Sequence, residues 1–372
     1  MNRRHAYIAL NMMDRIGPVR VRNLTEALGS PEAVWEATEG DLCGVSGIGR
    51  EVARGMMAQR NEVDPEKELR RVEAMGGSIL TWDDAEYPGI LKEIYDPPIV
   101  LYVMGQLTAK DRHAIAVVGT RHPTHYGTAM ADQLSYGLAR AGLTVVSGLA
   151  RGIDTAAHQA ALKAKGRTIA VLGGALDQVY PPENRKLARE ITELGAVICE
   201  YPLGRKPDRQ TFPYRNRIVS GLSLGTLVVE AGTTSGTVIT SKQALEQGRT
   251  VFAVPGRVDT PSARGCHALI KQGAKLCETI DDVLDDLDPL LPLRVVKEAE
   301  AIQPQREPEL NESEQAVVRA LYRGALSVDE LAREAGVSPV TLSSMLLGLE
   351  MKRVVTLLPG RRIELRPELY KG

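Results

Sequence analysis

Phenylalanine is nearly missing from this 372-residue chain, which has only two. Cysteine is scarce: Cys43, Cys199, Cys266 and Cys277 are scattered singly. No C-x-x-C pair occurs, so neither a zinc site nor a disulfide framework is indicated, and a reducing cytoplasm fits. No run approaches the ~18 consecutive apolar residues of a membrane-spanning helix. The start, Met1-Asn-Arg-Arg-His-Ala-Tyr-Ile-Ala-Leu10, is charged and lacks the apolar stretch of a signal peptide. Neither sign of charge is in excess, the formal net charge being −1. Any nucleic-acid contact must therefore come from a local patch. The common nucleotide motifs are missing too. No G-x-x-x-x-G-K-[ST] is present, which argues against Walker-type hydrolysis, and Val118-Gly-Thr-Arg121 does not continue as G-x-G-x-x-G.

What is present reads as a multi-domain globular protein. The length favours two or three domains. A hydrophobic share of 43% and a charged share of 25% are those of a soluble chain. Residues 1–66 carry helical periodicity in Ala6 to Leu10, Val19 to Leu28 and Glu32 to Ala37. Two similar turns, Ile16-Gly-Pro18 and Val45-Ser-Gly-Ile-Gly49, separate these helices. The second has the helix–hairpin–helix form, in which glycines bare backbone N–H groups at a helix N-terminus. The pair resembles a tandem helix–hairpin–helix, or SAM-like, domain. The plainer reading is that the glycines only close tight helical turns.

Residues 67–110 hold a helix and two strands, Ser78 to Trp82 and Ile99 to Val103, expected to pair with the edge of the next domain. From Ala114 to residue 287, apolar runs alternate with helical ones. The predicted strands are Ile115–Val118, Thr144–Val146, Thr168–Leu172, Ala196–Cys199, Thr226–Val229 and Thr250–Val254. Helices are predicted between them at 127–141, 154–165, 184–194, 214–222 and 236–247. This alternation predicts an α/β fold with a Rossmann-like, doubly wound parallel sheet.

In such sheets ligands gather beyond the carboxyl ends of strands. There the chain places Gly119-Thr-Arg121, Ser147-Gly-Leu-Ala-Arg-Gly-Ile-Asp154, Gly173-Gly174 with Tyr180-Pro-Pro182, and Glu230-Ala-Gly-Thr-Thr-Ser-Gly236. Glycine with hydroxyl or guanidinium at one strand end after another predicts an anionic, phosphate-bearing ligand. Into the same rim runs Arg209-Gln-Thr-Phe-Pro-Tyr-Arg-Asn-Arg217. Arginine, ring and amide together suit phosphate, base and sugar edge. The competing reading is a basic surface helix with Phe212 in the core. The rim acids Asp154, Asp177, Glu200 and Glu230 offer no clear metal set. Asp154 is placed to cap a helix, and the two glutamates are placed to hold arginine or amide. His158 reads as a packed side chain. The expectation is no metal, no cofactor and no catalytic residue.

These segments, with Phe212-Pro-Tyr-Arg-Asn-Arg-Ile-Val-Ser-Gly221 and Ala253-Val-Pro-Gly256, closely resemble the DprA (Smf) family of DNA-processing proteins of natural transformation. The likeness runs over about residues 75–285, with the motifs in the family order. It implies a non-enzymatic binder of single-stranded DNA that loads RecA recombinase and acts as a homodimer in the cytoplasm. It implies a phosphate-binding turn at Gly119, Thr120 and Arg121, with Ser147, Gly148 and Arg151 lining the same pocket. It further implies a basic residue at Arg209, Phe212 on a base, Arg215, Asn216 and Arg217 near the backbone, and Ser235 and Gly236 completing the rim.

Residues 288–310 are rich in Pro, Glu, Gln and Arg and read as a linker. Residues 311–372 carry a helix, a helix-turn-helix pattern and a hairpin, hence a winged helix. Its second helix, Thr341 to Leu347, has no Arg, Asn or Gln to read bases, although Arg361 and Arg362 sit near the wing. Two other functions compete. One is a nucleotide-processing hydrolase, because Glu230 to Gly236 loosely resembles the loop of cytokinin-activating phosphoribohydrolases, with the glutamate on the wrong side of the glycines. The other is a winged-helix regulator.

Overall fold

The computed structural model describes residues 1–233, 235–287, 310–322, 324–351, 354–358 and 362–365. Two compact units emerge, Met1–Ile302 and Gln303–Gly372.

The first unit is organised by a sheet whose strands are β1 (Gly77–Thr81), β2 (Val100–Gly105), β3 (Ala114–Val118), β4 (Thr144–Ser147), β5 (Thr168–Val171), β6 (Ala196–Cys199), β7 (Gly225–Val228), β8 (Thr250–Ala253) and β9 (Lys275–Leu276). Their order is β1-β2-β6-β5-β4-β3-β7-β8-β9. Strands β3 to β9 run parallel. The pair β1–β2 joins antiparallel on β6, the edge attachment expected from the sequence. Every residue of β3, β4, β5 and β6 is buried, which is why these strands read as continuous apolar runs.

Helices α1 to α6 (Arg3–Met12, Pro18–Leu28, Pro31–Glu36, Glu39–Cys43, Arg50–Gln59, Pro65–Ala74) precede β1, and α7 (Gly89–Lys92) precedes β2. Gly17 caps α2, with Pro18 as its first residue, and Gly49 caps α5, so each glycine turn opens a helix. These helices are not set apart from the sheet. Leu10, Leu24, Val34, Met56 and Val72 share one apolar cluster with Ile79, Tyr102, Leu172 and Cys199. The crossovers are α8 (His125–Arg140), α9 (Ile153–Lys163), α10 (Arg185–Leu194), α11 (Thr211–Gly221), α12 (Gly236–Glu246), α13 (Arg264–Lys271) and α14 (Asp281–Leu287). Helix α11 begins three residues earlier than periodicity predicts. Asp208 Oδ1 accepts from the amides of Gln210 and Thr211 at 2.8 and 2.9 Å, which brings Phe212 and Pro213 into the first turn.

The second unit holds α15 (Glu312–Leu321), β10 (Leu326–Ser327), α16 (Val328–Ala335), α17 (Pro339–Met351), β11 (Val355–Leu358) and β12 (Arg362–Leu365). Capping boxes at Asn311/Glu314 and Ser327/Glu330 start α15 and α16. Strands pair antiparallel in the order β10-β12-β11, giving the expected winged helix. The expected linker, apart from Leu310, and Arg361 at the wing lie outside the described residues. Among the described residues no helix is long and apolar enough to cross a membrane.

Candidate nucleic-acid interface

The order in which strands are added reverses between β3 and its parallel neighbour β7, so the switch-point crevice lies at their carboxyl ends. That crevice is closed by the protein itself. The amide of Thr120 donates to the carbonyl of Glu230 at 2.7 Å. The amide and hydroxyl of Thr124, which caps α8, both donate to Glu230 Oε2 at 3.0 Å. Ser262 donates its hydroxyl to Oε1 of the same side chain. A buried carboxylate thus sits at the positive end of α8, where a dinucleotide would put its pyrophosphate.

The open cleft lies one step along, at the ends of β4 and β5. Arg121, Gly148, Arg151, Gly173, Tyr180 and Phe212 line it, with Pro207 and Arg215. Phe212 is the centre. The Arg121 guanidinium lies 5.1 Å from its ring centroid and that of Arg215 lies 6.0 Å away. The Tyr180 ring is 6.2 Å off at 48°. Arg151 covers the Tyr180 ring at 5.8 Å and pairs with Glu183 at 2.5 Å. Arg121 is exposed and has no carboxylate partner among the described residues. A guanidinium stacked on a ring keeps its N–H edge free, the geometry that receives phosphate.

The strand-end glycines have a role that the sequence did not reveal. A Cβ on Gly148 would lie 1.7 Å from Arg215 Nη1, and one on Gly173 would lie 2.8 Å from Phe212 Cδ1. A Cβ on Gly174 would meet Pro207 Cδ at 2.7 Å. These glycines make room for the side chains of the cleft. Their loops also use backbone donors internally: Gly148 and Ala150 donate their amides to Asp154 Oδ2 at 3.1 and 3.3 Å. Asp154 therefore ties down the loop before α9 rather than capping the helix.

Other sequence-predicted residues are placed elsewhere. Ser147 is buried and donates its hydroxyl to the Val117 carbonyl at 2.6 Å, so it braces two strands and does not face the cleft. Arg215 is buried, with Nη1 donating to the Val171 carbonyl at 2.8 Å; it supports Phe212 from below. Arg217 is buried between Glu200 (2.7 Å) and Asp96 (2.9 Å), with no face left for a phosphate. Burial opposes its charge, but the two carboxylates more than offset this and hold its pKa above the usual value. Arg217 looks like surface in sequence but is claimed by two acids, whereas Arg215 is drawn in by a strand carbonyl, with the Asp154 charge favouring it. Gly119 and Thr120 belong to the closed crevice, Gly119 packing against Ile153. Asn216 is half-buried on α11, outside the cleft wall, and Arg209 is exposed on the loop before α11. Ser235 caps α12 by accepting from the Thr237 amide, and Gly236 opens that helix. Gly173 and Tyr180, which the sequence placed at the rim without an individual role, line the cleft, and so does Pro207, which the sequence did not single out.

Beneath the cleft, burial pushes the Asp154 carboxyl up, while Arg215 and the two loop amides pull it back. Burial, with Arg215 adding, drives His158 down to about 3. Its Nδ1 is 2.7 Å from the Thr168 hydroxyl, the packed histidine expected from the sequence. Glu200 holds Arg217 and Glu230 holds Thr124, as the sequence predicts for arginine and amide partners. Among the described residues no three His, Cys, Asp or Glu side chains gather as a metal site.

Fold and site together define a Rossmann-like protein with a cation–aromatic cleft, flanked by a helix–hairpin–helix tandem and a winged helix. A profile described as DNA recombination-mediator protein A matches residues 78–288. Profiles for a SAM-like helix-hairpin-helix tandem and for the DprA winged helix domain match 7–61 and 301–361. Protein Smf of Synechocystis sp. is 34% identical, over 98% of this chain and 100% of that one. The X-ray structure of DNA processing protein A from Streptococcus pneumoniae is 35% identical, with a TM-score of 0.68 over 77% of this chain and 99% of that one. A Helicobacter pylori DNA processing protein A, described for its single-stranded DNA binding mode, is 29% identical, with a TM-score of 0.51 over 57% and 97% of the chains. The chain belongs to the DprA/Smf family of DNA recombination mediators.

Proposed function

We propose that this chain binds single-stranded DNA without sequence preference and hands it to a RecA-type recombinase, as a non-catalytic cytoplasmic homodimer. The observation that carries the DNA reading is Phe212 set between Arg121, Arg215 and Tyr180, with Arg121 exposed and unclaimed by any described carboxylate. A phosphate takes the Arg121 edge. A base stacks on the Tyr180 side, where Arg151 adds charge. Arg209 and Lys206, exposed on the loop before α11, extend the basic track. Ring and phosphate contacts tolerate any base, so affinity is sequence-independent. Family membership supports the recombinase and dimer parts, which are read from kinship rather than from the cleft.

The hydrolase reading is disfavoured by one feature: Glu230 is engaged by Thr124 and Ser262 and does not face an open pocket. Anisotropy of labelled oligonucleotides of unrelated sequence, beside an assay for nucleoside monophosphate turnover, tests the proposal. Similar affinities and no turnover are expected. Turnover without oligonucleotide binding overturns it.

A further inference from the structure

A carboxylate from the N-terminal helices reaches the loop that leads into the cleft. Glu68, on α6, is 2% exposed. Its Oε1 accepts from the Leu203 amide at 2.6 Å, and its Oε2 accepts from Arg71 at 3.2 Å. Nearby, Asn11 on α1 donates to the Glu200 carbonyl at 3.0 Å. Glu200 and Leu203 begin the segment that joins β6 to α11. Further along, Gly204 donates its amide to Asp177 at 2.9 Å, the Arg205 carbonyl accepts from Ala175 at 2.9 Å, and Pro207 packs on Gly174. Phe212 follows in the first turn of α11. The Glu200 carbonyl and the Leu203 amide are therefore held by helices that contribute nothing to the cleft wall, while the Glu200 side chain is held by Arg217. A buried carboxylate is tolerated where hydrogen bonds and a counter-charge offset its desolvation; here the Leu203 amide and Arg71 supply them, and removing Glu68 would leave the Leu203 amide without its acceptor.

We propose that Glu68 is a positioning residue for the cleft. Through Leu203 it fixes the register of residues 200–210, and so the seat of Pro207 and Phe212. The N-terminal helices thereby set single-strand affinity without touching the strand. The inference rests on the cleft being the single-strand site. Affinity scales with the fraction of molecules whose loop is competent, so loss of the acceptor is expected to weaken binding roughly 3- to 10-fold.

The test uses the full chain, a labelled oligothymidylate, thermal melting and hydrogen exchange over residues 200–212. Glu68→Ala is expected to weaken binding by that factor and to speed exchange in the loop. Glu68→Gln keeps an oxygen acceptor and is expected to restore most of the affinity. Leu24→Ala, in the α2 core, is expected to lower the melting temperature and leave affinity unchanged. Parent-like binding by Glu68→Ala, or an equal loss in Leu24→Ala, overturns the inference. Should Glu68→Ala not fold, Asn11→Ala carries the comparison: faster loop exchange with weaker binding supports the coupling, and no change in either overturns it. Arg121→Ala and Phe212→Ala separate the two levels. If they lose binding while Glu68→Ala does not, only the positioning role falls. If they too bind normally, the cleft reading falls and takes this inference with it.

Discussion

Two arginines that look equivalent in sequence are expected to fail in opposite ways. Arg217 is 4% exposed and bridges Glu200, 11% exposed, and Asp96, 29% exposed. Arg217→Ala removes the cation and leaves Glu200 nearly buried without it. Breaking a buried pair from one side costs about 3–5 kcal/mol. At about 2 °C per kcal/mol for a unit of this size, the melting temperature should fall by roughly 6–10 °C. Oligonucleotide affinity, measured well below the new midpoint, should fall by much less than in Arg121→Ala, since Arg217 acts on the cleft loop only through its hold on Glu200. Arg121→Ala is the converse. It removes an exposed side chain without a carboxylate partner, so stability should stay within about 0.5 kcal/mol. A lost charge-assisted contact to phosphate is worth about 1.5–3 kcal/mol, or roughly 10- to 150-fold in affinity. Differential scanning fluorimetry and anisotropy on the same samples give both numbers. An Arg217→Ala protein that melts like the parent but no longer binds would refute the placement of Arg217.

Phe212→Ala should weaken single-strand binding by about 1–3 kcal/mol while lowering the melting point only modestly, since the ring is half-buried; isothermal titration and melting read both. Gly173→Ala should also reduce binding, because the new Cβ would lie 2.8 Å from Phe212 Cδ1; unchanged affinity would mean the ring is free to move. With about three phosphate contacts, log–log salt dependence should have a slope near −2, and a flat response would exclude the arginine track. His158 carries a folded pKa of about 3, below the ordinary 6.5, so the unfolded chain binds the extra proton between these values. Stability should therefore fall as pH drops below about 6.5, by up to about 1.4 kcal/mol per unit, and His158→Asn should flatten that part of denaturant-midpoint profiles.

The sheet was legible because strands covered on both faces read as short apolar runs, such as Ala114 to Val118 and Thr168 to Val171, alternating with helical segments. The edge pair β1–β2 was legible from its flanking turns. The site was legible in outline only. Glycines at strand ends indicate close approach but not of what, and here Gly148 and Gly173 receive Arg215 and Phe212 rather than an anion. Arg215 and Arg217 look like surface because their partners, the Val171 carbonyl for the first and Glu200 and Asp96 for the second, meet them only in the fold. Ser147 looked like a ligand hydroxyl because nothing local shows that it bonds to Val117. Closure of the switch-point crevice by Glu230 needs three segments brought together, and no spacing encodes that.

The most direct measurement is photocrosslinking of an iododeoxyuridine oligonucleotide to the full chain, mapped by mass spectrometry. Crosslinks at Tyr180 or Phe212, lost in Arg121→Ala, are the predicted result. Crosslinks confined to the winged helix, such as at Tyr322, or to the N-terminal helices would contradict the claim that the strand lies in the β4–β5 cleft.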